Sequence, residues 1–245
     1  MNEILARQLA LDYSCDVKDI LDEKNHFLLD ERREGRRRFQ ERNMTCLKAA
    51  VVNGKVLFSG MESVVSWCRE RYQETEGAWF LEVNRLRELD ERLSREGYRV
   101  ECAHPFYIAQ EPSFVDSGDY EIRWYEGKEI DAFRGDVRFG ESYAFDADAP
   151  DVLGVSASLQ GEILGMAGAS CDSPYMWQIG IDVLPAARGR GIGSMLVAKL
   201  KNEILNRGIL PFYGTSQSHI ASQRVALRAG FVPAWAELMS SLSPS

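Results

Sequence analysis

Cysteine is scarce in this sequence, and the cysteines that occur are far apart. No two of the five lie within four positions of each other, so no CxxC pair for a metal or a redox disulfide is present. An odd number of widely spaced cysteines is typical of reduced, mostly buried thiols. We therefore expect a reducing compartment, the cytoplasm, and no metal site.

Long apolar runs and a surplus of positive charge are also missing. No stretch approaches 18 uncharged apolar residues, so we expect neither a secretion signal nor a membrane span. The 29 Lys and Arg residues are outnumbered by 37 Asp and Glu residues, which gives a net charge of −8. Because neutralising phosphates requires surplus cations, the chain is a poor general binder of nucleic acid. We expect neither a membrane nor a nucleic acid as partner.

The composition is that of an ordinary globular protein, and the pattern of predicted strands and helices changes near the middle of the chain. Its 245 residues are 45% hydrophobic and 27% charged, enough for a sizeable core. Residues 1–110 predict a mixed α/β domain, with a hairpin around Asn53 and amphipathic helices after it. Residues 111–119 are polar and turn-rich and predict a linker. Residues 120–245 predict a second domain, in which strands precede and alternate with helices.

Charged residues are concentrated in two places. Residues 111–151 carry a net charge of −8, the same as the whole chain. We interpret them as a solvated acidic surface, with a rim that attracts a cationic substrate as the alternative. The three consecutive arginines at 36–38 are interpreted as a solvated helix face, and an anion-binding patch is the alternative.

The most informative segment begins with an apolar strand that stops at Pro185. Three glycines then alternate with other residues up to Gly193, which is costly inside a helix and predicts a turn. An apolar stripe at helical spacing follows from Met195. A strand, a glycine-rich turn and a helix N-terminus together form a place to bind an anion, because backbone N–H groups there lack partners. The spacing is neither GxGxxG nor that of a P-loop.

The turn fits the pattern Arg-x-x-Gly-x-Gly at Arg188, Gly191 and Gly193, and a Val-x-Pro triplet lies just before it. Downstream, residues 219–231 end in Gly-Phe. In these three features, over residues 120–240, the sequence resembles the GNAT acyltransferase superfamily. The resemblance implies an α/β (α+β) fold with a mixed, splayed central sheet flanked by helices, to which residues 1–110 add an N-terminal α/β unit.

By the same resemblance, the turn cradles the pyrophosphate of acetyl-CoA, and the pantetheine lies in the split of the sheet. The main-chain amide of Val183 would face the thioester carbonyl and stabilise the developing oxyanion. The implied cofactor contacts are Ile181, Val183, Arg188, Gly189, Arg190, Gly191, Ile192, Gly193, Ser194 and Ser222.

The catalytic acid and base do not follow from the resemblance, because the chain differs from many members of the family at the positions of the relevant residues. Many of them carry an Asn and, seven residues later, a Tyr acid, where this chain has His219 and Ala226. Tyr213 and His219 are the substitute acids that we consider. Asp182, on the strand near the reacting carbonyl, is the candidate base.

Two functions from different classes follow. The first is an N-acetyltransferase that moves an acetyl group from acetyl-CoA to a small amine by direct attack. The second is a non-catalytic acyl-CoA sensor, which retains the pyrophosphate turn without the chemistry. In a third hypothesis residues 1–110 bind nucleic acid, which their balanced charge opposes. The acceptor amine is unidentified, and a homodimer is an open alternative.

Overall fold

The computed structural model describes residues 1–38 and 46–243, and the chain divides into two compact units. Unit 1 is Met1–Phe106 with Ala234–Ser245, and unit 2 is Tyr107–Pro233. The sequence predicts a single domain over residues 120–245. The last strand instead groups with unit 1, because it pairs with a strand of that unit. Positions 39–45 and 244–245 of the predicted domains lie outside the described residues.

The six helices of the described residues have the following bounds: α1 Glu3–Asp12, α2 Val17–Leu21, α3 Glu62–Tyr72, α4 Val83–Ser94, α5 Ile192–Asn206 and α6 Ile220–Arg228. The ten strands are β1 His26–Leu29, β2 Leu47–Val52, β3 Lys55–Gly60, β4 Tyr98–Ile108, β5 Glu121–Glu126, β6 Asp151–Leu159, β7 Glu162–Ser170, β8 Met176–Val183, β9 Leu210–Gly214 and β10 Val232–Leu242. None of these helices is both long and apolar enough to cross a bilayer.

Unit 1 is an α/β unit in which β1, β3, β2, β10 and β4 lie side by side in that order. The predicted hairpin is confirmed as β2 and β3. Asn53 and Gly54 both adopt positive φ, 51° and 78°, as a type I′ turn requires. Aromatic residues of β3 and α3 pack together in the core, where the rings of Phe58 and Tyr72 stack with centroids 5.7 Å apart. The predicted α/β character of this unit is confirmed.

The three consecutive arginines lie in unit 1 and are buried, so the interpretation as a solvated helix face is wrong. Arg37 pairs with Asp12 at 2.6 Å and with Glu237. Arg36 pairs with Asp30 at 2.8 Å. A buried charge is tolerated only with such partners, and here carboxylates of the chain itself supply them. Arg36 and Arg37 therefore hold unit 1 together and do not form the alternative anion-binding patch.

Unit 2 contains a mixed sheet in the order β9, β8, β7, β6, β5. The pairs from β5 to β8 are antiparallel, whereas β8 and β9 are parallel. β9 pairs only with the first three residues of β8, Met176 to Gln178, although β8 continues to Val183. The two strands thus separate halfway along β8. The predicted mixed, splayed sheet flanked by helices is confirmed.

The two faces of this sheet are covered differently. On one face α5 packs its apolar stripe, including Leu196 and Leu200, against the inward residues of β6, β7 and β8. The opposite face is covered by residues 127–145, whose Phe139 and Tyr143 pack on Met166. No sequence pattern in residues 127–145 predicts a helix or a strand. It contains two short 3-10 helices, Gly127–Phe133 and Val137–Phe139.

The predicted linker contains neither helix nor strand, since none occurs between β4 and β5. It is nevertheless attached to unit 2. The side chain of Asn202 in α5 bonds both backbone groups of Ser113, at 3.0 and 2.7 Å. Lys201 also donates to the Ser113 hydroxyl at 2.9 Å. The segment is therefore fastened to the helix that follows the glycine-rich turn.

Candidate functional site

A cavity of about 760 Å³ lies in unit 2, where β8 and β9 separate. Its walls are the second half of β8, the glycine-rich turn, the first turn of α5, the end of β9 and one side of α6. A cavity of this volume is of the size that takes a cofactor or another small molecule. Its position follows directly from the splay, because a parted pair of strands leaves space and unpaired backbone between them.

The start of α5 supplies hydrogen-bond donors to this cavity. Gly191 precedes the helix with φ of +82°, and Met195 N donates the first helical hydrogen bond to Gly191 O at 3.0 Å. The amides of residues 192–194 come before that bond, so they have no acceptor within the helix. The helix dipole adds partial positive charge at the same end. Apart from its two chain neighbours, no atom of residues 1–38 and 46–243 lies within 4 Å of the place where a Cβ of residue 191 would be. The backbone is therefore open to a bulky anion.

The second half of β8 supplies an unpaired edge. Leu184 N donates to Leu164 O of the β7 side at 2.9 Å. Because backbone groups alternate between the two edges of an antiparallel strand, the N–H and C=O of Val183 point to the other edge. β9 no longer pairs there. The Nε of Arg188 donates to Val183 O at 3.1 Å, which leaves the Val183 amide directed toward the cavity.

The structure brings together nine of the ten cofactor contacts implied by the sequence, and all nine line the cavity. The exception is Arg190, which is not among the lining residues. Its Nη2 donates to Ala186 O at 3.2 Å, so the guanidinium caps the preceding 3-10 turn. The lining residues of the set are Ile181, Val183, Arg188, Gly189, Gly191, Ile192, Gly193, Ser194 and Ser222.

Both candidate acids line the same cavity. The Tyr213 hydroxyl lies 2.8 Å from Ser222 Oγ. Burial raises the pKa of the Tyr213 phenol, against a lowering by the Ser222 hydrogen bond. The phenol therefore keeps its proton at neutral pH. His219 lies directly before α6, is exposed, and makes no side-chain cap to that helix. Their roles as acids stay predictions.

Asp182, the candidate base, also lines the cavity, but one of its oxygens is engaged. Asp182 Oδ2 accepts hydrogen bonds from the amides of Glu141 and Ser142, at 3.0 and 2.8 Å. The hydroxyl of Ser142 lies 2.9 Å from the same oxygen. These contacts join β8 to the segment that covers the sheet, which no local sequence signal indicated. The base role of Asp182 stays a prediction.

Three charged residues that line the cavity, Glu141, Arg224 and Arg228, were not predicted from the sequence, and Glu141 is the acid among them. It was one of many acids in the segment 111–151, and nothing in its neighbours distinguishes it. Only its fixed place opposite Asp182 makes it part of the site.

The charges around the cavity are of two kinds. Three arginines line it, Arg188, Arg224 and Arg228, as do the two acids Glu141 and Asp182. An anion and a cation can therefore be attracted to the same cavity.

Elsewhere in the described residues, one group of side chains lies close enough to hold a metal ion: Asp19, Asp22 and His26 of unit 1. The ammonium of Lys55 already donates to Asp22 at 2.8 Å, so this group is charge-compensated within the chain. We therefore assign no metal role to it.

Comparison with protein families matches residues 117–231 to the model described as Acetyltransferase (GNAT) family. Comparison with curated proteins finds no match.

Similar solved structures share little sequence with the chain. A GCN5-related N-acetyltransferase-like protein from Streptococcus suis is 14% identical, with 84% of this chain and 89% of that chain covered and a TM-score of 0.46. A GCN5-related N-acetyltransferase from Kribbella flavida is 15% identical, with 65% and 64% covered and a TM-score of 0.47. A Salmonella typhimurium protein solved with its cofactor acetyl-CoA is 15% identical, with 51% and 94% covered and a TM-score of 0.37.

Proposed function

We propose that this chain transfers an acetyl group from acetyl-CoA to a small amine by direct attack, because residues 117–231 match the model of the GNAT acetyltransferase family. One observation carries the proposal. A parted strand edge leads directly to a glycine-capped helix N-terminus, and both face one cavity that also holds a buried phenol and two carboxylates. An anion site, an extended-chain site and proton-transfer groups are thus joined in one place.

The first turn of α5 is the proposed diphosphate site. The amides of residues 192–194 offer donors without helical acceptors, and the helix dipole favours negative charge there. Arg188, Arg224 and Arg228 line the same cavity and add cations. The amides and the arginines together match a diphosphate, which needs both hydrogen-bond donors and positive charge.

The open edge of β8 is the proposed seat of the pantetheine arm. An extended ligand that carries amides can pair with a strand whose neighbour has diverged, as peptides do when they extend a sheet. The Val183 amide then faces the thioester carbonyl. An N–H aimed at the oxygen that gains charge stabilises the transition state more than the ground state. Ile181 and Val183 are therefore proposed cofactor contacts through their backbones.

The departing thiolate needs a proton. Tyr213 is the proposed donor, because burial keeps its hydroxyl protonated and Ser222 orients it. His219, also at the cavity, is the alternative donor. A carboxylate on the acceptor side, where Asp182 and Glu141 lie, is the proposed base, since only an uncharged amine attacks a thioester.

The second candidate function is an acyl-CoA sensor without transfer. One observation favours it: Ala226 stands where many relatives carry a Tyr acid, and this alanine is buried in the core of unit 2. No polar side chain at that position can assist a leaving group. The anion site and the strand edge would serve binding alone.

Calorimetry with acetyl-CoA and thiol release with a panel of primary amines test the proposal on the full chain. We expect saturable binding and amine-dependent release of free thiol. Tyr213→Phe should lower the release at least about 100-fold, within the range for a lost general acid. Tyr175→Phe is the matched control, since Tyr175 is exposed and does not line the cavity. Binding without any release would favour the sensor, and no binding would refute both functions.

The cytoplasm is the compartment that we propose, because the five cysteines are all free. A homodimer stays a prediction, for which sedimentation of the full chain is the direct measurement.

A further inference from the structure

Residues 141–143 cross the face of the unit 2 sheet opposite α5, directly over a row of three glycines. Gly154, Gly168 and Gly180 are aligned across β6, β7 and β8 by the strand register. A Cβ at any of them would overlap an atom of the crossing segment: the Tyr143 hydroxyl, the Ser142 carbonyl or the Glu141 carbonyl respectively. The three glycines therefore form a seat for residues 141–143, because the absence of side chains at these positions lets that segment lie directly on the sheet.

Asp182 fastens the segment to this seat. Its Oδ2 accepts from the amides of Glu141 and Ser142 at 3.0 and 2.8 Å, and the Ser142 hydroxyl is 2.9 Å away. The same hydroxyl lies 2.6 Å from Met166 O. Several donors gathered on one carboxylate oxygen form a strong, directional clamp. An oxygen engaged in this way is poorly placed to receive a proton from a substrate.

Glu141 is held at the cavity by this seat and clamp. Its side chain is exposed and lines the cavity, and within residues 1–38 and 46–243 its carboxylate has no hydrogen-bond or ion-pair partner. Burial raises the pKa of the Tyr213 phenol most, and the negative charges of Glu141 and Asp182 raise it further. The other charged or titratable side chains that line the cavity are Asp182, His219, Arg188, Arg224 and Arg228.

We propose that Glu141 binds the ammonium of the acceptor and removes its proton, and that Asp182 is a positioning residue that holds Glu141 in place. This inference rests on the proposed function and names its substrate class, a primary amine that is cationic when it binds. The acidic segment thereby contributes one defined group to the site, beyond a diffuse negative surface.

The proton balance of the step is complete without a further co-reactant. Glu141 takes one proton from the ammonium, and the freed nitrogen lone pair forms a bond to the acetyl carbon. The carbon–sulfur bond breaks, and the sulfur leaves with its electron pair. The new amide nitrogen gives up a second proton. Of the two protons, one ends on the thiol of coenzyme A and one goes to solvent.

The first test distinguishes proton removal by Glu141 from a purely structural role of its side chain. The full chain and Glu141→Gln are assayed by thiol release, with a panel that pairs each primary alkylamine with its β,β,β-trifluorinated analogue, whose nitrogen is mostly uncharged at neutral pH. We expect Glu141→Gln to lose at least about 100-fold in kcat/KM for the charged amine, in line with a lost general base. For the uncharged analogue we expect a loss below about tenfold, because no proton must be removed before attack. Glu121→Gln, on β5 outside the cavity, is the matched control and should leave both rates unchanged.

The second test separates positioning from catalysis at Asp182. An asparagine at this position still offers an oxygen to the amides of residues 141 and 142, but it cannot accept a proton as a base. Asp182→Ala should therefore lose about as much activity as Glu141→Gln, whereas Asp182→Asn should recover to within about tenfold of the unmodified chain. Hydrogen exchange of the two amides should accelerate in Asp182→Ala and stay slow in Asp182→Asn.

The outcomes discriminate clearly. Full activity of Glu141→Gln with the charged amine overturns the inference and leaves the proposed function intact. Equal losses in Asp182→Asn and Asp182→Ala make Asp182 the base and also overturn it. If the unmodified chain binds acetyl-CoA but none of the amines in the panel causes release of thiol, both the proposed function and the role of Glu141 are refuted. The exchange measurement then still reports on the clamp alone.

Discussion

The glycine before α5 allows the anion site to be tested separately from stability. Gly191 has φ of +82°, and Gly208, just after the other end of the same helix, has φ of +76°. At both positions, no atom in the described part of the chain, other than the two sequence neighbours, lies within 4 Å of the place that a Cβ would take. Replacement by alanine thus adds no steric clash at either end. It adds only the cost of a left-handed backbone, about 1–2 kcal/mol for a residue with a side chain.

We therefore expect Gly191→Ala and Gly208→Ala to lower the free energy of unfolding by the same amount, within about 0.5 kcal/mol of each other. Their effects on acetyl-CoA should differ. A methyl group at 191 projects into the space before the amides of the first helical turn, whereas 208 is outside the cavity. We expect at least a tenfold weaker Kd for Gly191→Ala, about 1.4 kcal/mol, and an unchanged Kd for Gly208→Ala.

Urea unfolding followed by intrinsic fluorescence gives the first quantity, and calorimetric titration with acetyl-CoA gives the second. The reasoning would be refuted by equal Kd values for the two variants at equal stability, because the diphosphate would then lie away from this turn. A large stability loss at 191 alone would show that the turn carries strain which the backbone angles do not account for.

Three further predictions concern packing and charge. Gly180→Ala places a methyl group against the Glu141 carbonyl, so we expect a loss of about 1–3 kcal/mol in urea unfolding and slower transfer, with an unchanged Kd for acetyl-CoA. Arg37→Ala leaves two buried carboxylates unpaired and should cost about 3–5 kcal/mol in the same assay, whereas a mere surface residue would cost under 0.5. Burial acts to raise the pKa of Asp30, but its ion pairs, among them Lys48 at 2.9 Å, outweigh this and hold the pKa below its ordinary value. The stability that this pairing gives is complete above about pH 4 and is lost as the pH falls through the folded pKa of Asp30. Asp30→Asn should remove this part of the acid sensitivity. Urea unfolding between about pH 5 and 3 measures the difference between the variant and the unmodified chain.

Features encoded within a few neighbouring residues could be predicted from the sequence. The hairpin at Asn53 follows from two residues that tolerate positive φ between apolar runs. The strand, turn and helix from β8 to α5 follow from a proline, alternate glycines and an apolar stripe. The unpaired amides of a helix N-terminus are also a local feature, so the candidate anion site could be predicted from the sequence.

Features that depend on distant partners could not be predicted in this way. The arginines near residue 37 read as solvated because their buried carboxylate partners come from remote positions. The segment 127–145 has no apolar period, and its place is set by glycines in three separate strands. The same holds for Glu141, whose importance arises only when Asp182 binds its amide. The spacing of residues along the sequence carries no information on contacts between such distant segments.

The grouping of β10 with residues 1–106 makes unit 1 discontinuous along the chain. During synthesis from the N-terminus, β2 emerges long before the antiparallel neighbour with which it pairs through Ala236 to Met239. The intervening residues of unit 2 form a contiguous segment and can complete their own sheet first. Until residues 236–239 leave the ribosome, one edge of β2 has no strand partner, and such an unpaired edge can add a strand from another chain. Synthesis from the N-terminus therefore allows unit 2 to close its sheet before β2 and β10 of unit 1 can pair.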